Sequence, residues 1–170
     1  MKTFLKNYTS DVPVSQTIYR IEQVLIRCGV SGITKEYGAQ KNGETEVVAI
    51  RFSIKPGVES RELTVRLPAD KERALDALWL DYANGEQLTE NGERLARSRR
   101  KKLCRKDFTA QAERTAWRIV QDWVEVQMSM IQLKQAETLE VFLPYVWDGK
   151  QTFFQLVKES GFKQLKEKNE

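Results

Sequence analysis

The sequence predicts an α+β fold: an α-β-β-β-α unit with a three-stranded antiparallel sheet, followed by a basic linker and a long helix suited to coiled-coil packing. Three observations predict it. Apolar residues recur with helical spacing over residues 15 to 28, alternate singly over residues 45 to 67, and return to steps of four and three after residue 108. With 170 residues, of which 41% are apolar and 31% charged, the chain suits one compact domain plus an appendage, and its 4 Trp, 5 Tyr and 7 Phe argue against global disorder.

Ser15 stands as an N-cap ahead of Ile18, Ile21, Val24, Leu25 and Cys28, which share one helical face. Gly29 follows as the C-terminal cap, so Cys28 is expected as the last core residue of this helix. Strands are expected near residues 30 to 38, 45 to 54 and 61 to 67. In the second, Val48, Ile50, Phe52 and Ile54 alternate with Ala49, Arg51 and Ser53; in the third, Leu63, Val65 and Leu67 alternate with Thr64 and Arg66. Asn42-Gly43 is a hairpin signal and Lys55-Pro56-Gly57 marks a second turn, so the strands form an antiparallel meander. Leu67-Pro68-Ala69-Asp70 closes the sheet and opens a helix with Ala74, Leu75, Leu78 and Tyr82 on one face, stopped by Asn84-Gly85.

The α+β domain thus covers residues 1–83, a basic flexible linker residues 84–107, a long amphipathic helix residues 108–143, and a short helix with a polar tail residues 144–170. Along the long helix Ala112, Ala116, Ile119, Trp123, Val126, Met130 and Leu133 form a heptad seam. A rod of roughly 54 Å, at about 1.5 Å per residue, outreaches the preceding unit, so a homodimer is expected through Ala116, Ile119, Trp123, Val126, Met130 and Leu133. Pro144 ends the rod, Trp147-Asp148-Gly149-Lys150 reads as a turn, and Phe153, Phe154, Leu156 and Val157 belong to a last helix closed by Gly161.

Composition excludes much chemistry. The chain has no His, which removes imidazole bases and His-containing zinc sites. Cys28 and Cys104 lie 76 positions apart with no CxxC spacing, so no disulfide framework is expected and a reducing, cytoplasmic setting fits. No apolar run approaches the roughly 20 residues of a membrane span, and Asp11 and Glu22 interrupt the front where a signal peptide is continuous and apolar, so no membrane association is expected. No glycine-rich phosphate loop exists, because Gly29-Val30-Ser31-Gly32 lacks the length and the Lys of that motif. Glu22, Glu36 or Glu46 with Lys35 could hold a nuclease cation, but no recognised spacing supports it; no enzyme, cofactor or metal is expected.

The strongest functional signal is charge. Residues 94 to 106 contain Arg94, Arg97, Arg99, Arg100, Lys101, Lys102, Arg105 and Lys106 and no acid, a total of +8. The whole chain is +4, so the rest carries −4. Clustered Arg and Lys neutralise phosphates and release counterions, which points to nucleic acid. Lys35, Tyr37, Arg51 and Arg66 are expected to share the sheet face left open by the helices, where cations beside an aromatic ring suit a single strand. No recognition helix, zinc finger or aromatic RNA-binding pattern appears, so binding is expected to be sequence-nonspecific, with single-stranded DNA as the first choice. The plain alternatives are a solvated linker and an acidic protein partner. Trp117, Trp123, Tyr145 and Trp147 are expected to pack rather than stack on bases, and Met128 and Met130 to fill the seam.

Residues 111 to 127, QAERTAWRIVQDWVEVQ, and residues 139 to 145, LEVFLPY, resemble a stretch of small uncharacterised proteins encoded by bacterial phages and integrated elements. Residues 19 to 33, YRIEQVLIRCGVSGI, and residues 66 to 69, RLPA, fit the same pattern, so the resemblance covers most of the chain. That group has no assigned catalytic residues, so none is carried over to this chain. It implies a setting in phage or mobile-element DNA metabolism or, alternatively, an inhibitor or adaptor directed at a host protein.

Overall fold

The structure is a computed structural model and describes residues 5–38, 45–55, 61–84 and 102–161. The order is α1 (Val14–Arg27), β1 (Ser31–Tyr37), β2 (Val47–Ile54), β3 (Leu63–Pro68), α2 (Lys71–Asn84), a 3-10 turn (Arg105–Phe108) leading into α3 (Thr109–Gln132), α4 (Thr138–Phe142), a second 3-10 turn (Leu143–Tyr145) and α5 (Phe153–Glu159). The class is α+β, as the sequence pattern predicts. Asn42-Gly43 and Pro56-Gly57 lie outside the described residues. Two compact units interleave the chain: residues 1–19 with 69–122, and residues 20–68 with 123–170. The linear pattern divides it instead at residues 84–107.

In the first unit α2 and the front of α3 share a small core of Ala74, Leu75, Leu78, Ala112 and Ala116, edged by Leu5, Ala69 and Phe108. Small Ala side chains let helix axes approach closely, so the cluster is buried with little bulk. Trp79, Tyr82 and Phe108 close one end, with ring centroids 5.2 to 6.2 Å apart. Residues 7 to 10 are tied down by α3. Asn7, at φ 63°, gives its carbonyl to Thr115 Oγ1 at 3.3 Å, while Gln111 Nε2 donates to the Tyr8 carbonyl at 2.7 Å. Lys6 Nζ lies 2.8 Å and Asn7 Nδ2 2.9 Å from Asp122. Burial disfavours the Asp122 charge, but these hydrogen bonds and nearby Arg118 outweigh it and hold the carboxyl below the usual aspartate range.

In the second unit the sheet order is β1-β2-β3, all antiparallel. Paired residues share a face, and Lys35, Ile50 and Leu67 stand in one row. Lys35 Nζ reaches Glu22 of α1 at 3.0 Å, which places α1 on that face, where Ile21, Leu25, Ile50, Phe52, Val65 and Leu67 are all buried. A chain of rings extends the core: Phe52 meets Phe142 edge-on at 5.5 Å, Phe142 meets Trp123 at 5.8 Å, and Trp123 meets Tyr145 at 5.1 Å. Val146 bridges to Val65 on the free edge of β3, and Thr152 returns to Trp147 around Gly149 at φ 106°, the expected turn.

Three expectations change. The long helix over residues 108–143 stops at Gln132, a length of 24 residues. Lys134 adopts φ 56°, the Gln135 amide donates to the Met130 carbonyl at 2.9 Å, and α4 starts afresh at Thr138. A helix closed in this way usually has Gly at the left-handed position, so Lys134 gives no stop signal in the sequence. The dimer seam is also divided: Ala116 is buried in the first unit and Trp123 packs on Phe142, while Met130 is half-buried and Ile119, Val126 and Leu133 remain exposed. Cys28 is half-buried at the end of α1 rather than a core residue, because the helix ends one residue earlier and Gly29, at φ 76°, turns the chain.

Candidate nucleic-acid interface

Arg51 and Arg66 are direct cross-strand partners, so they share the sheet face opposite α1. Two like charges in register repel unless an anion stands between them. Glu36, on the same face, supplies it: Arg66 Nε and Nη2 donate to its two carboxylate oxygens at 2.9 and 2.8 Å. The hydrogen bonds from Arg66, aided by the charge of Arg51 at 3.8 Å, hold the Glu36 carboxyl below its ordinary value against the opposing effect of burial. The Arg66 guanidinium is in turn held more firmly protonated by Glu36.

Arg51 has a second partner. Its guanidinium carbon lies 5.0 Å from the centroid of the Trp147 ring, within cation-π range. Trp147 is held there by its own amide, which donates to the Thr64 carbonyl at 2.8 Å. Arg51 Nε is buried without a hydrogen-bond partner among the described residues, so this guanidinium relies on the ring and on Glu36.

The expected grouping of Lys35, Tyr37, Arg51 and Arg66 on one open face is therefore corrected. Arg51 and Arg66 come together, but Lys35 stands on the α1 face with Glu22, because it pairs in register with Ile50 rather than with Arg51. Register shifts in β1 moved it out of the expected row. Tyr37 lies at the end of β1 opposite Val47 and is exposed. Glu36 and Trp147 are the partners that strand alternation missed. Glu36 was legible in principle, two positions from Thr34, which faces Arg51; Trp147 was not, because it arrives from a distant turn.

Of the basic run, Arg94, Arg97, Arg99, Arg100 and Lys101 lie outside the described residues. The end of the expected flexible linker is anchored in the first unit. The Leu103 amide donates to the Tyr82 hydroxyl at 3.1 Å, and Arg105 Nη2 lies 2.6 Å from Asp76 and 3.2 Å from Glu72 on α2. Those carboxylates, one helical turn apart, engage the Arg105 guanidinium by hydrogen bonds and raise its already high pKa. Lys102 and Lys106 are exposed.

Among the described residues no three His, Cys, Asp or Glu side chains come together as a metal-ligand set. Of the three carboxylates considered for a nuclease cation, Glu22 and Glu36 are each engaged by a basic side chain. No described helix is long and apolar enough to cross a membrane. Compared with known proteins, the chain matches no family, no curated protein and no solved structure.

Proposed function

We propose that this protein binds single-stranded nucleic acid without sequence preference and without catalysis, through the basic run of residues 94 to 106. The observation that carries the reading is charge separation: +8 within that run against −4 for everything else. A cation cluster unmixed with acids is the electrostatic footprint of phosphate binding. Arg105 acts as the anchor of the run on Glu72 and Asp76, and the other seven cations contact the strand. The exposed ring of Tyr37 is an accessory stacking site. The expected phage or mobile-element setting belongs to this proposal, as does a second copy of the chain docked on Ile119, Val126 and Leu133, exposed at heptad spacing.

Fluorescence anisotropy of a labelled single strand, with wild type and a variant carrying Gln at positions 99 to 102, tests the reading. Wild type binds with log affinity falling steeply against log salt, and the variant loses at least about tenfold. A duplex competitor measures the preference for single strands. No binding at low salt overturns the reading and favours a protein partner. One observation supports that second reading: Phe153, Phe154 and Leu156 of α5 are exposed, an apolar surface suited to another protein.

A further inference from the structure

The second unit contains a cavity of about 300 Å³ lined by the end of α1, the end of β2, α3 and Thr138 of α4. That volume is at the lower end for small-molecule sites. Two of its lining residues, Arg27 and Lys55, are cations and none is acidic, and neither cation has an ion-pair partner among the described residues.

The C-terminal end of α1 explains part of this. A helix C-terminus carries about half a negative charge, which favours Arg27 in the last turn. It does not account for Lys55, which comes from β2. The carbonyls of the last turn are also already engaged: Gly29 N–H donates to Ile26 and Val30 N–H to Leu25, at 3.0 and 3.1 Å. Two full positive charges therefore outweigh the dipole, and the cavity attracts an anion.

Its other walls select the body of that anion. Ile54, Met128 and Ile131 form an apolar side, and the Met128 thioether suits an aromatic ring. Gln132 and Thr138 add an amide and a hydroxyl, groups that hydrogen-bond base edges and ribose. Cys28 lies in the lining and accepts a hydrogen bond from Gln132 Nε2 at 3.4 Å. Burial pushes its thiol up, so little of it is thiolate and it serves as a packing group whose slow reaction with a thiol reagent reports on the cavity.

We propose that this cavity binds a nucleoside monophosphate, with the phosphate between Arg27 and Lys55 and the base against Met128 and Ile131. Room for a small anion with an apolar body follows from the cavity itself; the choice of a phosphate and of a nucleotide rests on the nucleic-acid reading above.

The test uses the full chain carrying Cys104→Ser, which leaves Cys28 as the one thiol, and follows its reaction with Ellman's reagent at low salt. Thymidine 5′-monophosphate at about 1 mM is expected to slow labelling about threefold, the protection given by a dissociation constant near 0.5 mM. Thymidine and inorganic phosphate at the same concentration are expected to protect less than half as well. Arg27→Gln and Lys55→Gln, both at exposed positions, each remove the protection, and amide shifts of Gly29 and Thr138 on adding the nucleotide give a second readout in the unsubstituted cavity. Absent protection and unmoved shifts overturn the proposal, as does equal protection by thymidine or by inorganic phosphate. The variant with Gln at positions 99 to 102 keeps the nucleotide protection, so loss of strand binding and loss of the cavity site are separate outcomes.

Discussion

The arginines of the sheet and those of residues 94 to 106 are the same chemical group in different sequence settings. Arg51 and Arg66 face Glu36 and, for Arg51, the ring of Trp147, so most of their charge is matched inside the second unit. The basic run contains no acid along its own sequence, and among its described residues Arg105 is engaged by Glu72 and Asp76. A count of basic residues treats the two sets alike. A carboxylate within hydrogen-bond reach converts a potential phosphate contact into a structural one.

The largest expected effect breaks the comparison if it fails. Gln at positions 99 to 102 lowers strand affinity at least about tenfold and flattens the salt slope by up to about 3, whereas Arg51→Gln with Arg66→Gln changes affinity less than about threefold in the same titration. Equal losses would place the strand on the sheet. Next in size, Glu36→Gln removes the anion between the sheet arginines and costs about 1 kcal/mol in urea unfolding. By freeing two guanidinium groups it also raises low-salt strand affinity a few-fold, which the same anisotropy assay reads.

Acid sharpens the point. The folded pKa of Glu36 is depressed, so its contribution to stability is complete above the ordinary glutamate value of about 4.3 and is lost as pH falls through the folded value. Asp122 in the first unit behaves in the same sense. Urea midpoints should therefore fall between about pH 5 and pH 3, and the Glu36→Gln variant should lose less than wild type over that interval. The smallest effect is Arg105→Gln: strand affinity is expected to stay within about twofold, because this cation is already engaged. A loss as large as that of a neighbouring Lys would show that Arg105 leaves α2 to bind the strand.

Much of the fold was legible because it rests on local period and punctuation. Alternation over residues 47 to 54 and 63 to 67 located β2 and β3, and the steps of three and four from Ile18 to Leu25 located α1, because burying one face of a strand or helix writes its period into the sequence. The interface was less legible. The charges themselves were visible, but their partners were not: Glu22 belongs to α1, Glu72 and Asp76 to α2, and Trp147 to a turn far along the chain. The seam on α3 misled for a related reason. Ala116 and Trp123 satisfy the heptad spacing, yet the contacts that bury them come from α2 and from Phe142.

By itself the sequence determined the α+β class, the three strands and their order, the absence of imidazole chemistry and the concentration of positive charge in one run. Tertiary structure decided which of those charges are matched and where the long helix stops. The break after Gln132 shows the physical reason. In an unbroken helix Trp123 and Phe142, 19 positions apart, would be separated by roughly 28 Å at about 1.5 Å per residue. In the fold their rings touch at 5.8 Å, with Phe142 also against Phe52 at 5.5 Å. Burying an aromatic ring fully contributes about 1.5–3 kcal/mol, enough to offset the roughly 1–2 kcal/mol for a non-glycine residue in the left-handed region at Lys134. The core offsets the local preference, and the Phe52 ring that helps bury Phe142 lies far from both residues in the sequence.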